Sequence, residues 1–244
     1  MGVANRWSIA SAIAEAMAGA GARLAVSYLD ERAKRDADAL IADVPGGLSY
    51  QCNVESDEEL DAFAAALQRD LGRVDALVHS IAFAPAEALK GRLLDTSRES
   101  FRLAHSISVY SLIAAAQRVA PLMTEGGSIT TLTYLGSERV FPNYNVMGVA
   151  KAALEATVRY LAADLGEQRV RVNAISAGPI KTASARGVRG FSDMVKMASE
   201  RSPLKDPLDP AQVGAAAVFL ASDGAAAITG ETLYVDSGYH IMGM

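Results

Sequence analysis

The chain has 244 residues, half of them hydrophobic and 21% charged, a composition of folded globular proteins that excludes disordered and fibrous ones. Its 23 basic and 28 acidic residues leave a net charge of −5, so no summed positive field draws in nucleic acid or an anionic lipid surface. One cysteine, Cys52, allows no internal disulfide and suits a reducing cytoplasm, three scattered histidines suggest no metal site, and the apolar runs 112–116 and 215–221 fall far short of the roughly 20 residues of a membrane span.

The opening Met1-Gly2-Val3-Ala4-Asn5 has no basic region ahead of an apolar one, as a signal peptide would, and reads as the turn that normally follows a strand. Ile9, Ile13, Ala16 and Met17 share one helical face and predict a helix over 8–18, stopped by Gly19 and Gly21. Strands are predicted over 23–28, 49–54 and 74–79, with helices over 31–42 and 57–71 between them. Asp57, Glu58 and Glu59 fall in a first helical turn, where the helix dipole favours acidic groups. A long helix over 97–123, a strand over 128–134, a helix ending at 165 and a strand over 170–175 follow. Residues 176–210 carry glycines 178, 187 and 190 and prolines 179, 203, 207 and 210, and suit a lid over about 180–210. A helix over 211–222 and a strand over 232–235 close the chain. Unbroken βα repetition predicts one domain over 1–244 of α/β class: a Rossmann-type, doubly wound parallel sheet in three layers, with ligands at the carboxyl ends of its strands.

The segment 134–151 carries the chemistry. It puts Tyr134 at the end of a strand and Tyr144 and Lys151 near the start of the next helix. Seven residues of helix turn through about 700° and rise about 10 Å, so Tyr144 and Lys151 share a face, and a lysine stem can shorten the gap. A cation beside a phenol stabilises negative charge developing nearby, which suits hydride addition to a conjugated or simple carbonyl compound. Taken alone, Tyr-x6-Lys reads more readily as a partly buried tyrosine pair with a surface lysine than as a functional site.

The wider sequence narrows the choice. Ser8-Ile9-Ala10, His79-Ser80-Ile81-Ala82-Phe83-Ala84-Pro85, Ser108-Val109-Tyr110-Ser111, Tyr144 to Lys151, Arg159-Tyr160-Leu161-Ala162, the run 171–182, Gly230-Glu231 and Val235-Asp236-Ser237-Gly238 together resemble the NADH-dependent enoyl-[acyl-carrier-protein] reductase family. This family is a divergent branch of the short-chain dehydrogenases. Tyr-x6-Lys stands where the wider superfamily has Tyr-x3-Lys, and His79-Ser80-Ile81-Ala82 where it has Asn-Asn-Ala-Gly. The resemblance implies reduction of the trans-2 double bond of an enoyl thioester on acyl carrier protein, in the elongation cycle of fatty acid biosynthesis, by a cytoplasmic homotetramer.

It also implies roles. Tyr144 would hydrogen-bond the thioester oxygen, Lys151 would hold the nicotinamide ribose, and Tyr134 matches a second active-site tyrosine or a wall of the acyl pocket. Tyr134, Tyr144 and Lys151 are the expected catalytic residues, with Ala84 and the two tyrosines against substrate. Cofactor contacts are expected from Gly2, Ser8, Ile9, Leu29, Asn53, Val54, Ile81, Lys151, Ile180, Thr182, Ala183 and Ser184, and no metal is expected. Ser8 is also a simple helix cap. Tyr28-Leu29-Asp30-Glu31 places acid where a 2′-phosphate would need base, favouring NADH, although Arg32 keeps NADPH open. Asn53 stands where the family commonly has Asp. Phe191, Met194, Val195 and Met197 could line an acyl channel or simply pack. A carbonyl reductase and a catalytically silent scaffold are the alternative readings; the intact tyrosines and lysine speak against the latter.

Family members usually carry a strand ahead of the glycine at position 2. The resemblance therefore implies a sheet lacking its first, central strand, with a gap of about 9.6 Å, and a native start about ten residues upstream of Met1.

Overall fold

The computed structural model describes residues 1–180 and 191–243, the side chains of Phe191 and Ser192 excepted. Helices and strands alternate as α1 (Ile9–Gly19), β1 (Ala25–Tyr28), α2 (Glu31–Ile41), β2 (Leu48–Gln51), α3 (Asp57–Leu71) and β3 (Ala76–His79). Then come α4 (Arg98–His105), α5 (Ser111–Val119), β4 (Gly127–Thr133), α6 (Asn145–Leu165), β5 (Val170–Ala177), α7 (Phe191–Arg201), α8 (Pro210–Ala221) and β6 (Thr232–Val235). Short polar residues begin the helices. Ser8, Asp30, Ser56, Ser97 and Asp209 each accept a backbone N–H of the first turn, satisfying a donor that the helix itself leaves open.

The long helix expected over 97–123 is interrupted. Ser106–Tyr110 forms a π-helical turn between α4 and α5. The second strand stops at Gln51, so Asn53 and Val54 lie in the loop beyond it, while β5 runs on to Ala177.

All strand pairs are parallel. They form two sheets, β1-β2 and β3-β4-β5-β6, divided between β1 and β3. Met1–Val3 joins the two: Val3 N–H donates to the Ser27 carbonyl (3.0 Å), Ser80 N–H donates to the Met1 carbonyl (3.0 Å), and the Met1 amino group donates to the Val78 carbonyl.

Two apolar layers flank the four-stranded sheet, set by the alternation of side chains along each strand. On β5, Val172 and Ala174 face a core built with α3, α5 and α6, while Ile175 and Ala177 face one built with α1 and α8. Side chains on both faces of β4 and β5 are buried, as helices covering a parallel sheet require. Since every strand points the same way, all carboxyl ends meet at one edge.

Candidate active site

Beyond β4, Tyr134 continues extended, and Leu135–Ser137 makes a single 3-10 turn. That turn lies on the first turn of α6 because two residues there have no side chain. A Cβ on Gly136 would come within 2.5 Å of Tyr144 Cδ1, and one on Gly148 within 2.7 Å of the Gly136 carbonyl oxygen. The approach sets the Tyr134 and Tyr144 rings edge to face, centroids 5.1 Å apart, with Phe141 5.0 Å from Tyr134. Tyr144 precedes α6, and Asn145 at the start of that helix has φ +39°, so the regular helix that the shared face with Lys151 required does not reach back to Tyr144, whose ring is placed instead by the approach of the 135–137 turn.

Lys151 is not a surface lysine. It is 5% exposed, and its Nζ donates to the Leu132 carbonyl at 2.7 Å. Burial lowers its pKa to about 8, against the opposing pull of Glu155. One turn on, Glu155 is 8% exposed, and its Oε1 accepts from Thr133 Oγ1 at 2.6 Å. Burial raises both tyrosines well above the ordinary phenol range, aided at Tyr134 by Tyr144 and at Tyr144 by Glu155, so both are neutral donors at physiological pH. The Tyr134 hydroxyl is buried and has no hydrogen-bond partner among the described residues. An unpaired buried hydroxyl is costly, and one placed beside a second phenol is a vacant donor for a ligand oxygen.

The expected cofactor residues collect at the same edge. Gly2 has φ +94°, and a Cβ there would lie 2.4 Å from the Ser80 carbonyl oxygen and 2.8 Å from Ile81 Cγ1, so only glycine lets this turn close on the loop after β3. Ser8 caps α1, accepting from Ser11 N–H at 3.1 Å, and Ile9 opens that helix. Leu29 follows β1 and is exposed; Asp30 caps α2 through Ala33 N–H at 2.9 Å. Asn53 and Val54 are half-buried beyond β2; Asn53 N–H donates to Glu59 Oε2 at 2.7 Å, and its own Oδ1 accepts from Glu55 N–H at 3.1 Å. Ile81 and Ala84 are half-buried after β3, and Ile180 is buried in the core after β5. Thr182, Ala183 and Ser184, with part of the expected lid, lie outside the described residues. Of the apolar residues expected at the acyl channel, Met194 and Val195 are half-buried on α7 and Met197 is exposed.

Three partnerships were not foreseen from the sequence. Glu155 pairs with Thr133. His79, fully buried, has Nδ1 3.0 Å from Thr131 Oγ1 and Nε2 2.8 Å from Ser111 Oγ. Ser108 Oγ accepts from Phe83 N–H (3.0 Å) and donates to the Phe83 carbonyl (3.1 Å), fastening the loop that holds Ile81 and Ala84. A concavity of about 670 Å³ lies elsewhere, on α4 and α5 between Phe101, Val109 and Tyr110.

Comparison with known proteins places this geometry. The family model described as enoyl-(acyl carrier protein) reductase matches residues 2–240. The chain belongs to the enoyl-[acyl-carrier-protein] reductase family. It is 51% identical to the enoyl-[acyl-carrier-protein] reductase [NADH] FabI of Bacillus cereus, covering 100% of this chain and 96% of that one. It is 49% identical to the enoyl-[acyl-carrier-protein] reductase [NADPH] FabI of Staphylococcus aureus (98% and 94% covered). Among solved structures, the Bacillus cereus enoyl reductase with NADP+ and an indole naphthyridinone superposes with a TM-score of 0.98 at 51% identity, covering 100% of this chain and 96% of that one. The Anaplasma phagocytophilum enoyl reductase in complex with NAD gives 0.95 at 45% identity (99% and 92% covered). Within this enoyl reductase, the paired tyrosines and the buried lysine occupy the edge where a doubly wound fold binds its ligands.

Proposed function

We propose that this enoyl reductase reduces the trans-2 double bond of enoyl-[acyl-carrier-protein] thioesters with NADH, in the elongation cycle of fatty acid biosynthesis. The observation that carries the reading is the Tyr134–Tyr144 pair, with the Tyr134 hydroxyl buried and unpartnered among the described residues, and a buried Lys151 bonded to the Leu132 carbonyl two residues before Tyr134.

The residues present fit a dinucleotide. The Gly2 turn admits no side chain, and the capped amino end of α1 suits phosphate. Gly2, Ser8, Ile9, Leu29, Asn53, Val54, Ile81, Lys151 and Ile180 would hold it, with Thr182, Ala183 and Ser184. Asp30 at the end of β1 disfavours a 2′-phosphate, so NADH is preferred to NADPH. When bound, the nicotinamide supplies a hydride to the substrate β-carbon. Tyr144 donates to the thioester oxygen as it acquires enolate charge, a neutral phenol being able to give a proton where a phenolate could not. Lys151 holds the ribose and adds positive potential. Tyr134 and Ala84 bound the acyl group, and a proton completes the α-carbon.

The reading extends to one domain over 1–244 with a substrate-binding segment at about 180–210. It also extends to a cytoplasmic homotetramer that takes no part in nucleic-acid or membrane binding. Exposed Phe101 and Tyr110 beside the α4–α5 concavity support self-association. Among the described residues, no helix is long and apolar enough to cross a membrane.

The test is oxidation of NADH with crotonyl-CoA or an enoyl carrier-protein thioester, followed by absorbance. Turnover that needs both substrates is expected; none from a folded, NADH-binding sample would overturn the proposal.

A further inference from the structure

The end of β4 and the segment running from Tyr144 into α6 meet through three contacts. The Leu132 carbonyl receives Lys151 Nζ, the Thr133 hydroxyl donates to Glu155, and the Tyr134 ring meets Tyr144. Lys151 and Glu155 lie one helical turn apart on a face that also buries Met147, Leu154 and Val158. A lone ammonium in such a face is strongly disfavoured, and a lysine there loses its proton unless a negative charge accompanies it.

The charged and titratable groups around Lys151 leave one candidate for that charge among the described residues. From β3, His79 is held neutral by burial, its pKa lowered to about 3. From the end of β4 and the start of α6, Tyr134 and Tyr144 are neutral phenols. From β6, Tyr234 is a neutral phenol that donates to Glu138. Asp236, just beyond β6, accepts from the backbone N–H of Gly238 (3.0 Å) and of His240 (2.8 Å), and lies 3.0 Å from His240 Nδ1. Glu155 remains, and it raises the Lys151 pKa against burial.

We propose that Glu155 is a positioning residue: tethered by Thr133, its carboxylate keeps Lys151 charged and aligned with Tyr144 for binding the cofactor ribose. This rests on the reading of Lys151 as a cofactor-binding residue. A purely structural Glu155 would need only an acceptor for Thr133 Oγ1, and glutamine supplies one at the same length. Glu155→Gln therefore separates charge from tether.

The experiment is the NADH dissociation constant of the full chain from about pH 6.5 to about pH 9.5, read by energy transfer from Trp7, the single tryptophan, which is exposed beside the Gly2 turn. In the wild type, binding should weaken above about pH 8 as Lys151 loses its proton. In Glu155→Gln that midpoint should fall by about one pH unit, so that binding is about twofold weaker near pH 7 and approaches about tenfold weaker above about pH 9. Coincident midpoints in wild type and Glu155→Gln would overturn the inference. If Glu155→Gln does not fold, Thr133 provides the second arm. Thr133→Val leaves the carboxylate without its donor and should weaken NADH binding on the acid side of the range, and Thr133→Ser should restore it. A Thr133→Val curve overlying the wild type would equally overturn the inference. Wild-type turnover of crotonyl-CoA is measured in the same buffers. A failed functional reading then shows as no turnover, and a failed inference as turnover with unmoved binding curves.

Discussion

A methyl group on Gly136 would press into the Tyr144 ring at 2.5 Å and approach Tyr134 at 3.1 Å, so the ring, and with it the phenol, must move. Misplacing a donor by about 1 Å can cost about 100-fold in rate. Gly136→Ala should therefore lower kcat by about 10- to 100-fold while the NADH dissociation constant stays within about twofold, measured by steady-state kinetics and Trp7 energy transfer. Tyr144→Phe keeps the ring and removes the donor. It should lower kcat by about 100-fold with little effect on NADH binding, and an unchanged kcat would show that another group polarises the thioester oxygen. Tyr144 and Lys151 are legible in the sequence because they fall in one short segment, although the helix that carries Lys151 begins only at Asn145 and its period does not fix the direction of Tyr144. Glu155 is not, because its partner Thr133 comes from a strand 22 residues earlier and no spacing rule links the two. The sequence also leaves Lys151 open to a surface reading, since only the covering elements decide that its stem is buried.

At the scale of elements, the π turn at Ser106–Tyr110 ties a helix to two strands. Ser111 Oγ donates to the Ile107 carbonyl at 2.6 Å, which uses its one proton, so its contact with His79 must be an acceptance from Nε2–H. Burial keeps the imidazole neutral, so with Nε2–H donating to Ser111 its Nδ1 is an acceptor, and the one Thr131 Oγ1 proton lies between that nitrogen (3.0 Å) and the His79 carbonyl (3.2 Å). Ser111→Ala would leave Nε2–H buried without an acceptor. It should cost about 1–3 kcal/mol, seen as a lower urea midpoint at unchanged slope. The strands, the caps and the helix faces are readable from β-branched runs and polar caps. The π turn is not, because the 97–123 stretch keeps an unbroken helical composition, and one extra residue in a turn leaves no mark in apolar spacing. Its hydrogen bonds lie between elements, to Phe83 and His79, where local pattern carries no information.

For the whole molecule, the buried imidazole couples stability to pH. Burial first, then the amino-terminal charge and Lys151, lower the His79 pKa from 6.5 to about 3. The unfolded chain therefore binds this proton more readily than the folded one. The stabilisation is complete above about pH 6.5 and is lost toward pH 3, at up to about 1.4 kcal/mol per pH unit. Urea midpoints between about pH 7 and about pH 4 should fall more steeply for wild type than for His79→Gln, in which the titrating group is gone while the carboxylates common to both remain. Fold class follows from the βα rhythm of the sequence. The division into two sheets is not part of that rhythm, and only the family resemblance, through the strand it expects ahead of Gly2, bears on what lies between β1 and β3.

That division has a kinetic consequence. The ladder of β1 runs over Ala25–Tyr28 against β2, while β4 is bonded along its length to β5 and over Ala76–His79 to β3. The two-stranded part, which carries Leu29, Asp30 and Asn53 at its tips, can open as a local unit without disturbing the part that carries the tyrosines and Lys151. A dinucleotide spanning both tips would act as a clasp. Amide exchange at Val26–Tyr28 should accordingly be faster than at Ile129–Leu132 in the free protein, and NADH should slow the former set far more than the latter.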